Sequence, residues 1–143
     1  MNPSAGERGR VVRLWADGAS RNNPGPAAAG WVIDWGDGTE PESGGRTLGV
    51  ASNNVAEYKG LIHALERALE RGAGRIDAFA DSELLVRQVN GIYKVKHPNL
   101  KPLHAQVKSL VARLESFSIR HIPREQNRGA DAAANRALDE GPR

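Results

Sequence analysis

Residues 54–81 read NVAEYKGLIHALERALERGAGRIDAFAD and predict a helix followed by a strand. Apolar side chains recur at helical spacing, with Gly72 and Gly74 as the stop signal. The apolar set is Val55, Tyr58, Leu61, Ile62, Leu65 and Leu69. Segment 75–81 alternates as a strand. A strand reached through a crossover helix lies parallel to a neighbour, so this stretch predicts a mixed sheet with helices packed against it.

Further elements are predicted on both sides of this unit. Upstream are three antiparallel strands, VVRLWAD (11–17) ending at an Asp-Gly turn, AAAGWVIDW (27–35) and RTLGVAS (46–52). Downstream are a short helix (81–91), a longer helix opened by HPNLKP (97–102), a strand (116–123) and an alanine-rich helix (127–140). The order βββαβααβα predicts an α/β fold, in which a five-stranded mixed sheet of three antiparallel strands with parallel additions is flanked by about four helices.

Length and composition limit the classes of protein. The chain of 143 residues suits one domain, 1–143, with the polar segment 1–10 predicted as a disordered tail. Its 39% hydrophobic and 26% charged residues are typical of a globular protein, and neither a bilayer-spanning run nor a signal-peptide core appears. We therefore expect no membrane partner and a cytoplasmic location. The absence of cysteine excludes thiolate metal sites, so a metal would need oxygen or imidazole ligands.

Positive charge is concentrated in one part of the chain. The net charge is +3, but residues 91–128 carry eight Lys and Arg against two Glu, which is 8 − 2 = +6. A polyanion would bind such a stretch. A solvated helix face accounts for the same charges, so charge alone leaves both interpretations open.

Four carboxylates stand at the edges of predicted strands or helices: Asp17, Glu57, Asp81 and Asp131. The predicted topology brings the ends of the first and fourth strands and the starts of two helices into one region. Two carboxylates about 4 Å apart repel by about 4 kcal/mol at an effective dielectric of roughly 20. Acids that converge against such repulsion are typical of a cage for divalent cations, which points to an enzyme.

Each acid also has a purely structural interpretation. Asp17 fits an Asp-Gly turn, and Glu57 fits a capping box with Asn54. Asp81 fits a helix cap, and Asp131 fits a favourable interaction with a helix dipole. Taken singly these interpretations compete evenly with catalysis; taken together they do not explain the convergence of all four.

Four motifs follow one another from Val11 to Leu138. They read DGASRNNPGPAAAGWVI (17–33), NNVAEYKGLIHAL (53–65), DSELLVRQVNGIYKVKHPNLKPL (81–103) and HIPREQNRGADAAANRAL (121–138). In this order they resemble the type 1 ribonucleases H, in the form that lacks a basic protrusion. The resemblance implies the ribonuclease H-like fold and endonucleolytic cleavage of the RNA strand of RNA/DNA hybrids, with 5′-phosphate and 3′-hydroxyl products.

The resemblance also implies a metal centre. The family's D-E-D-D set falls on Asp17, Glu57, Asp81 and Asp131, which would be both catalytic and metal-binding and hold two Mg²⁺ ions, with Mn²⁺ as a possible substitute. Mg²⁺ takes oxygen ligands and keeps several waters, which leaves room for a phosphate and a nucleophile. Glu57 is further implied in sensing the ribose 2′-hydroxyl in the minor groove.

Substrate-binding residues carry over by position. Minor-groove contacts fall on Asn23, Asn53 and Asn54, and a DNA phosphate seat falls on Ser52. In segment 91–99, which departs from the family pattern, we expect Tyr93, Lys94 and Lys96 to supply a smaller phosphate grip. Asparagines are equally common in turns and caps, so a structural role competes here. Glu83 occupies the place of a hydrogen-bond-donating Gln in many relatives, and a carboxylate cannot donate.

The chain departs from the family pattern at two further places. Many relatives carry a His in the loop before the last helix, whereas IPREQNRGA (122–130) has none. Arg124 is one candidate replacement; His121 is the nearest imidazole, but the alternation places it on a strand, where a sheet-face histidine fits equally well. Only GIYKVKHPN (91–99) fills the place of a helical basic handle, which predicts weaker and salt-dependent binding.

Three functions compete at this point. The first is a hybrid-cleaving enzyme, acting as a monomer without an obligate protein partner. The second is a nucleic-acid-binding module of the same fold that has lost catalysis. The third is a nuclease or integrase of the wider superfold that acts on DNA. A DNA strand, which has no 2′-hydroxyls, should survive the first and not the third.

Overall fold

The computed structural model describes residues 9–141. Its strands are β1 Val11–Ser20, β2 Gly25–Asp34, β3 Glu42–Ala51, β4 Arg75–Ala80 and β5 Ser116–His121, and its helices are α1 Asn53–Glu70, α2 Glu83–Val89, α3 Lys101–Val111 and α4 Arg128–Glu140. This confirms the predicted order of elements. The tail predicted for residues 1–10 lies outside the described residues except for Gly9 and Arg10, and the single domain over 1–143 stays a prediction. None of the helices within 9–141 is long and apolar enough to cross a membrane.

The sheet confirms the predicted mixed topology. Within residues 9–141 it has five strands in the order β3-β2-β1-β4-β5. β2 is antiparallel to β1 and β3, whereas β4 is parallel to β1 and β5 is parallel to β4. Ala16 of β1 lies opposite Ala80 of β4. The residues that follow them, Asp17 and Asp81, therefore lie side by side.

The core lies between the sheet and the helices that cross it. Alternation along β1 buries Val12, Leu14 and Ala16, which face one side of the sheet. The cluster continues through β4 and α1 with Ile76, Ala78, Ala80, Tyr58, Leu61 and Leu65. The apolar face predicted for the first helix is therefore the face that packs on the sheet.

Two glycines allow β1 and α1 to touch through their backbones. A Cβ on Gly18 would collide with the Ala56 carbonyl group, and a Cβ on Gly60 would collide with the Asp17 carbonyl oxygen. Only glycine tolerates approaches this close. Glu57, which lies between these contacts on α1, is held beside Asp17 as a result.

The last helix, α4, lies close to β2 and β3 because small residues face each other. Ala130, Ala133 and Ala134 are buried on the helix. Gly30 and Gly45 stand opposite them, and a Cβ on either glycine would collide with the α4 backbone. This contact anchors the helix turn that carries Asp131.

The first strand is longer than the sequence predicts. The predicted Asp-Gly turn at Asp17 is wrong, because Gly18, Ala19 and Ser20 continue to pair with residues 27–29 of β2. The turn lies farther along the chain, where the Arg21 backbone N donates to the Pro26 carbonyl oxygen at 2.9 Å. Local turn propensity is outweighed here by pairing with a distant strand.

Candidate active site

Three acids converge where β1, β4 and α1 meet. Asp17, Glu57 and Asp81 each offer one carboxylate oxygen, and these oxygens lie within 4.8 Å of one another. We call these residues the acidic trio. Asp17 is buried, with 8% of its surface exposed, and the other two are half-buried. The parallel pairing of β1 with β4 and the glycine contacts with α1 account for the convergence.

The fourth predicted acid, Asp131, lies at the margin of this cluster. It belongs to the first turn of α4. It is not among the acids whose carboxylate oxygens lie within 4.8 Å of one another. Its charge nevertheless helps to raise the pKa of Asp17. Its Oδ1 accepts a hydrogen bond from Asn135 Nδ2 at 3.2 Å. The structure thus brings three of the four predicted acids together, with Asp131 nearby.

Burial and mutual repulsion change the titration of the trio. Burial, followed by the charge of Asp81, raises the pKa of Asp17 to about 8, although the Gly18 N–H opposes the shift. Burial and Asp81 likewise raise the pKa of Glu57 to about 7 against a hydrogen bond from Ser82 and the charge of Arg124. A site that disfavours ionised acids gains stability from either a proton or a cation.

The donor set fits a hard divalent cation. All three groups are carboxylates, the ligands that Mg²⁺ and Mn²⁺ prefer. None of the ion pairs formed by residues 9–141 involves a member of the trio. The negative charge is therefore not neutralised by a bound side chain, and a cation would complete the cluster.

Besides the Asp-Gly turn at Asp17, two further structural interpretations of the acids are wrong. Ser52 caps α1, with its Oγ accepting from Val55 N at 3.2 Å, so Asn54 and Glu57 do not form the capping box. Ser82 caps α2 in the same way, so Asp81 does not serve as its cap. Glu57 and Asp81 are thus free for a role that their helices do not need.

Asn127 is a residue that the sequence analysis did not single out. It is buried, with 1% of its surface exposed, and its Nδ2 donates to Asp81 Oδ2 at 3.0 Å. The same nitrogen donates to the Ala16 carbonyl oxygen, also at 3.0 Å. An asparagine just ahead of a helix that carries a candidate ligand was the available signal, but it is also an ordinary helix-cap pattern.

Two of the predicted minor-groove residues, Asn23 in the loop after β1 and Asn53 at the start of α1, are joined by a hydrogen bond. Asn23 Oδ1 accepts from the Asn53 backbone N at 3.0 Å, and Asn53 Oδ1 accepts from the Ser20 backbone N at 2.9 Å. Asn54 is exposed. Because the side-chain oxygens of Asn23 and Asn53 accept these backbone hydrogen bonds, their Nδ2 groups are held in a fixed direction. Nδ2 is the hydrogen-bond donor that a base edge would need.

A groove of about 580 Å³ lies between the start of α1 and the start of α3. Ser52, Lys59 and His97 line it. The predicted phosphate seat, Ser52, thus shares this groove with Lys59, a residue that the sequence analysis did not select.

Basic side chains project from the segment between α2 and α3. Lys94 and Lys96 are exposed, and Tyr93 is 44% exposed under the guanidinium of Arg87, which lies 5.3 Å from its ring centroid. No helix is present within 91–99. The predicted absence of a helical handle in this segment is therefore observed.

Both candidates for the missing loop histidine border the trio. His121 ends β5, and its Nε2 lies 3.3 Å from the Asp81 carbonyl oxygen. Arg124 begins the 3₁₀ turn, and its charge lowers the pKa of Glu57. Both side chains are exposed, so each can reach a ligand at the rim.

Comparison with known sequences agrees with this geometry. A reverse transcriptase-like family model matches residues 16–137. The ribonuclease HI of Halobacterium salinarum is 45% identical over 134 residues, which are 94% of this chain and 67% of that protein. The bifunctional protein Rv2228c of Mycobacterium tuberculosis is 42% identical over 129 residues, which are 90% of this chain and 35% of that protein. The chain thus spans about two thirds of the first relative and about a third of the second.

Solved structures of RNase H1 proteins are also similar to this chain. The RNase H1 of Halobacterium salinarum superimposes with a TM-score of 0.88 at 44% identity, covering 92% of this chain and 99% of that one. LC11-RNase H1, solved in complex with an RNA/DNA hybrid, superimposes with a TM-score of 0.84 at 39% identity, covering 90% and 97%. The chain belongs to the type 1 ribonuclease H family.

Proposed function

We propose that this protein is a metal-dependent endoribonuclease that hydrolyses the RNA strand of RNA/DNA hybrids and leaves 5′-phosphate and 3′-hydroxyl ends. The observation that carries the proposal is the acidic trio, whose oxygens lie within 4.8 Å of one another on a fold shared with RNase H1. The relative LC11-RNase H1 was solved with a hybrid bound, which supports this substrate class.

The trio would hold the metal. Asp17, Glu57 and Asp81 supply the central carboxylates, and Asp131 supplies a fourth from the edge of the cluster. Two Mg²⁺ ions, or Mn²⁺ in their place, would supply Lewis acidity toward the attacking water and the leaving oxygen. The protein's own part is to hold these carboxylates close together. Burial and mutual repulsion raise the pKa values of Asp17 and Glu57, so a bound cation would favour their ionised forms.

Arg124 and His121 would assist at the rim of the site. Arg124 carries a permanent positive charge next to Glu57, so it can pair with the scissile phosphate and favour release of the charged product. His121 lies beside the Asp81 backbone, with its Nε2 3.3 Å from the Asp81 carbonyl oxygen. We prefer Arg124 because its positive charge lowers the pKa of Glu57, a member of the trio.

Recognition of the hybrid would use polar side chains around the trio. Asn23, Asn53 and Asn54 would contact the minor groove, where 2′-hydroxyls distinguish RNA from DNA. Ser52, at the groove that Lys59 also lines, would seat a DNA phosphate. Lys94 and Lys96 would add phosphate contacts from the exposed segment 91–99. Glu57 would contact a ribose 2′-hydroxyl as well as metal.

We propose that the protein acts as a monomer on a nucleic-acid partner and needs no obligate protein partner. The cytoplasmic location expected from the sequence stays a prediction.

The deciding experiment uses a strand-labelled RNA/DNA hybrid beside matched double-stranded RNA and double-stranded DNA. We expect cleavage of the hybrid's RNA strand alone in Mg²⁺, abolished by EDTA, because the site depends on cations and the fold selects the 2′-hydroxyl. Cleavage of the DNA duplex would contradict the proposal in favour of a DNA nuclease. Binding of the hybrid without cleavage would favour a silent binding module.

A further inference from the structure

The side chain of Asn127 connects two acid-bearing segments of the site. Its Nδ2 donates to Asp81 Oδ2 and to the carbonyl oxygen of Ala16, each at 3.0 Å. Ala16 precedes Asp17 on β1 and lies opposite Ala80, which precedes Asp81 on β4. One amide nitrogen therefore joins the backbone next to one member of the trio to the carboxylate of another.

The backbone of Asn127 reaches a third acid. Its carbonyl oxygen accepts a hydrogen bond from the Asp131 backbone N at 3.1 Å, at the beginning of α4. Asn127 thus links the strand of Asp17, the carboxylate of Asp81 and the helix turn of Asp131. Among residues 9–141, it is the one asparagine whose side chain is hydrogen-bonded to a member of the trio.

The orientation of the amide is determined by its partners. Both contacted atoms, a carbonyl oxygen and a carboxylate oxygen, are acceptors, so only the NH₂ branch can face them. The other branch, Oδ1, is buried and has no hydrogen-bond partner. A buried acceptor without a hydrogen-bond partner is unfavourable. The fold leaves Oδ1 without a partner while the NH₂ group makes both of its hydrogen bonds, which indicates that the NH₂ contacts fix the side chain.

We propose that Asn127 is a positioning residue that holds the Asp81 carboxylate in the orientation required to bind a divalent cation together with Asp17 and Glu57. The carboxylates repel one another, and a donor fixed to the β1 backbone keeps Asp81 from rotating away from its neighbours. Hydrogen-bond partners of metal ligands commonly act in this way. The inference rests on the proposed metal site, although not on which nucleic acid is cut.

The test compares Asn127→Ala with Asn90→Ala. Asn90 Nδ2 also donates to the backbone of a strand, Ile119 O at 3.1 Å, but within residues 9–141 its side chain has no hydrogen bond to an acid. The dissociation constants of Mg²⁺ and Mn²⁺ are measured by calorimetry on the protein without nucleic acid, and kcat and KM are measured on the hybrid. We expect Asn127→Ala to bind metal about 10- to 100-fold more weakly and to lose a similar factor in kcat, with KM for the hybrid within about twofold. Asn90→Ala should leave all four values unchanged.

A second variant separates positioning from folding. Asn127→Ser keeps one donor of shorter reach, and we expect its metal affinity to lie between wild type and Asn127→Ala. Wild-type metal affinity in a folded Asn127→Ala or Asn127→Ser variant would overturn the assignment. So would failure of both variants to fold even at saturating Mg²⁺, since Asn127 would then be a structural residue.

The metal titration also keeps this inference separate from the proposed function. If the wild-type protein cuts no hybrid but its Mg²⁺ affinity depends on Asn127, the substrate proposal fails and the positioning role stands. If the wild-type protein cuts the hybrid and Asn127→Ala is unaffected in both measurements, the positioning role alone fails.

Discussion

At the scale of single residues, the buried carboxyl of Asp17 dominates the electrostatics of the site. Its exposed fraction is 8%, and the nearby charges of Asp81, Asp131 and Glu57 all act against its ionisation. In the unfolded chain the same group would titrate near its ordinary pKa of 3.8. Between about pH 4 and pH 8 the folded protein therefore keeps a proton on Asp17 that the unfolded chain releases.

This difference predicts how stability changes with pH in the absence of divalent cations. Between about pH 4 and pH 8 the folded state holds one more proton at Asp17, so the free energy of unfolding falls as pH rises through this range. Glu57, with a pKa raised to about 7, acts in the same direction. We expect Asp17→Asn to flatten the dependence and to be more stable than wild type by about 2–4 kcal/mol near pH 8. Urea unfolding in EDTA at several pH values measures this, and an unchanged slope in Asp17→Asn would contradict it.

Asp81 allows the catalytic and structural roles of an acid to be separated. Asp81→Asn should abolish cleavage, because the trio loses a ligand, while the protein without metal stays as stable as wild type or becomes slightly more stable, since a repulsive charge is removed. Hybrid cleavage and denaturant unfolding measure the two effects. The matched control is Asp77→Asn, which should keep activity. Asp77 lies on β4, the strand that leads to Asp81, but its Oδ1 accepts a hydrogen bond from Ser118 Oγ at 2.8 Å. An unfolded Asp81→Asn would show that Asp81 is structural.

The two rim residues should differ in importance. We expect Arg124→Ala to lower kcat by about 10-fold or more, because a permanent charge next to the trio is lost, and His121→Ala to lower it less. Steady-state cleavage of the hybrid by both variants decides between them. Equal effects, or a larger effect of His121→Ala, would move the auxiliary role to the histidine.

At the scale of elements, the site depends on how closely α1 approaches β1. Gly60 stands against the Asp17 carbonyl oxygen, so Gly60→Ala should push the helix that carries Glu57 away from the strand. Alanine is the better helix former, yet we expect a loss of about 1–3 kcal/mol from the steric clash, together with weaker metal binding. Denaturant unfolding and Mg²⁺ calorimetry measure the two effects.

The matched control on the same helix is Glu66→Ala, whose side chain is 48% exposed. It should change stability by no more than about 0.5 kcal/mol and leave metal affinity unchanged. If Gly60→Ala were as stable as wild type, the backbone contact would not be what positions Glu57.

The elements themselves were largely predictable, because periodicity and glycine signals are local properties of the chain. The helix predicted from Asn54 begins at Asn53, and the strand predicted at 75–81 is β4, Arg75–Ala80. The end of β1 was not predictable, since the Asp-Gly pair is a turn signal and only pairing with residues 27–29 continues the strand. Errors of this kind arise where a distant partner outweighs a local preference.

At the scale of the whole molecule, the lack of a helical handle within residues 91–99 makes electrostatics important for binding of the hybrid. Lys94 and Lys96 are exposed in segment 91–99. Replacing both with alanine should raise KM for the hybrid and reduce the slope of log KM against log salt by about 1–2, because up to two phosphate contacts are lost.

The control for this prediction is the double variant Arg13→Ala/Arg75→Ala. It removes the same charge from exposed positions on β1 and β4 that lie several residues before Asp17 and Asp81 along the chain. Kinetics between low and moderate salt compare the two pairs. Equal effects would indicate that net charge, and not a local phosphate grip, governs binding.

The sequence by itself determined the types and order of the elements, the kind of ligand atoms available and the family to which the chain belongs. These follow from local periodicity, from the absence of cysteine and from ordered motifs, none of which requires a measured distance. Only the tertiary structure decided that Asp17, Glu57 and Asp81 form the trio, that Asp131 lies at its margin, and that Asn127 is buried against Asp81. The physical reason is that some of these residues lie more than a hundred positions apart in the sequence. Their distances in space therefore depend on strand register and on the close contact of α1 and α4 with the sheet.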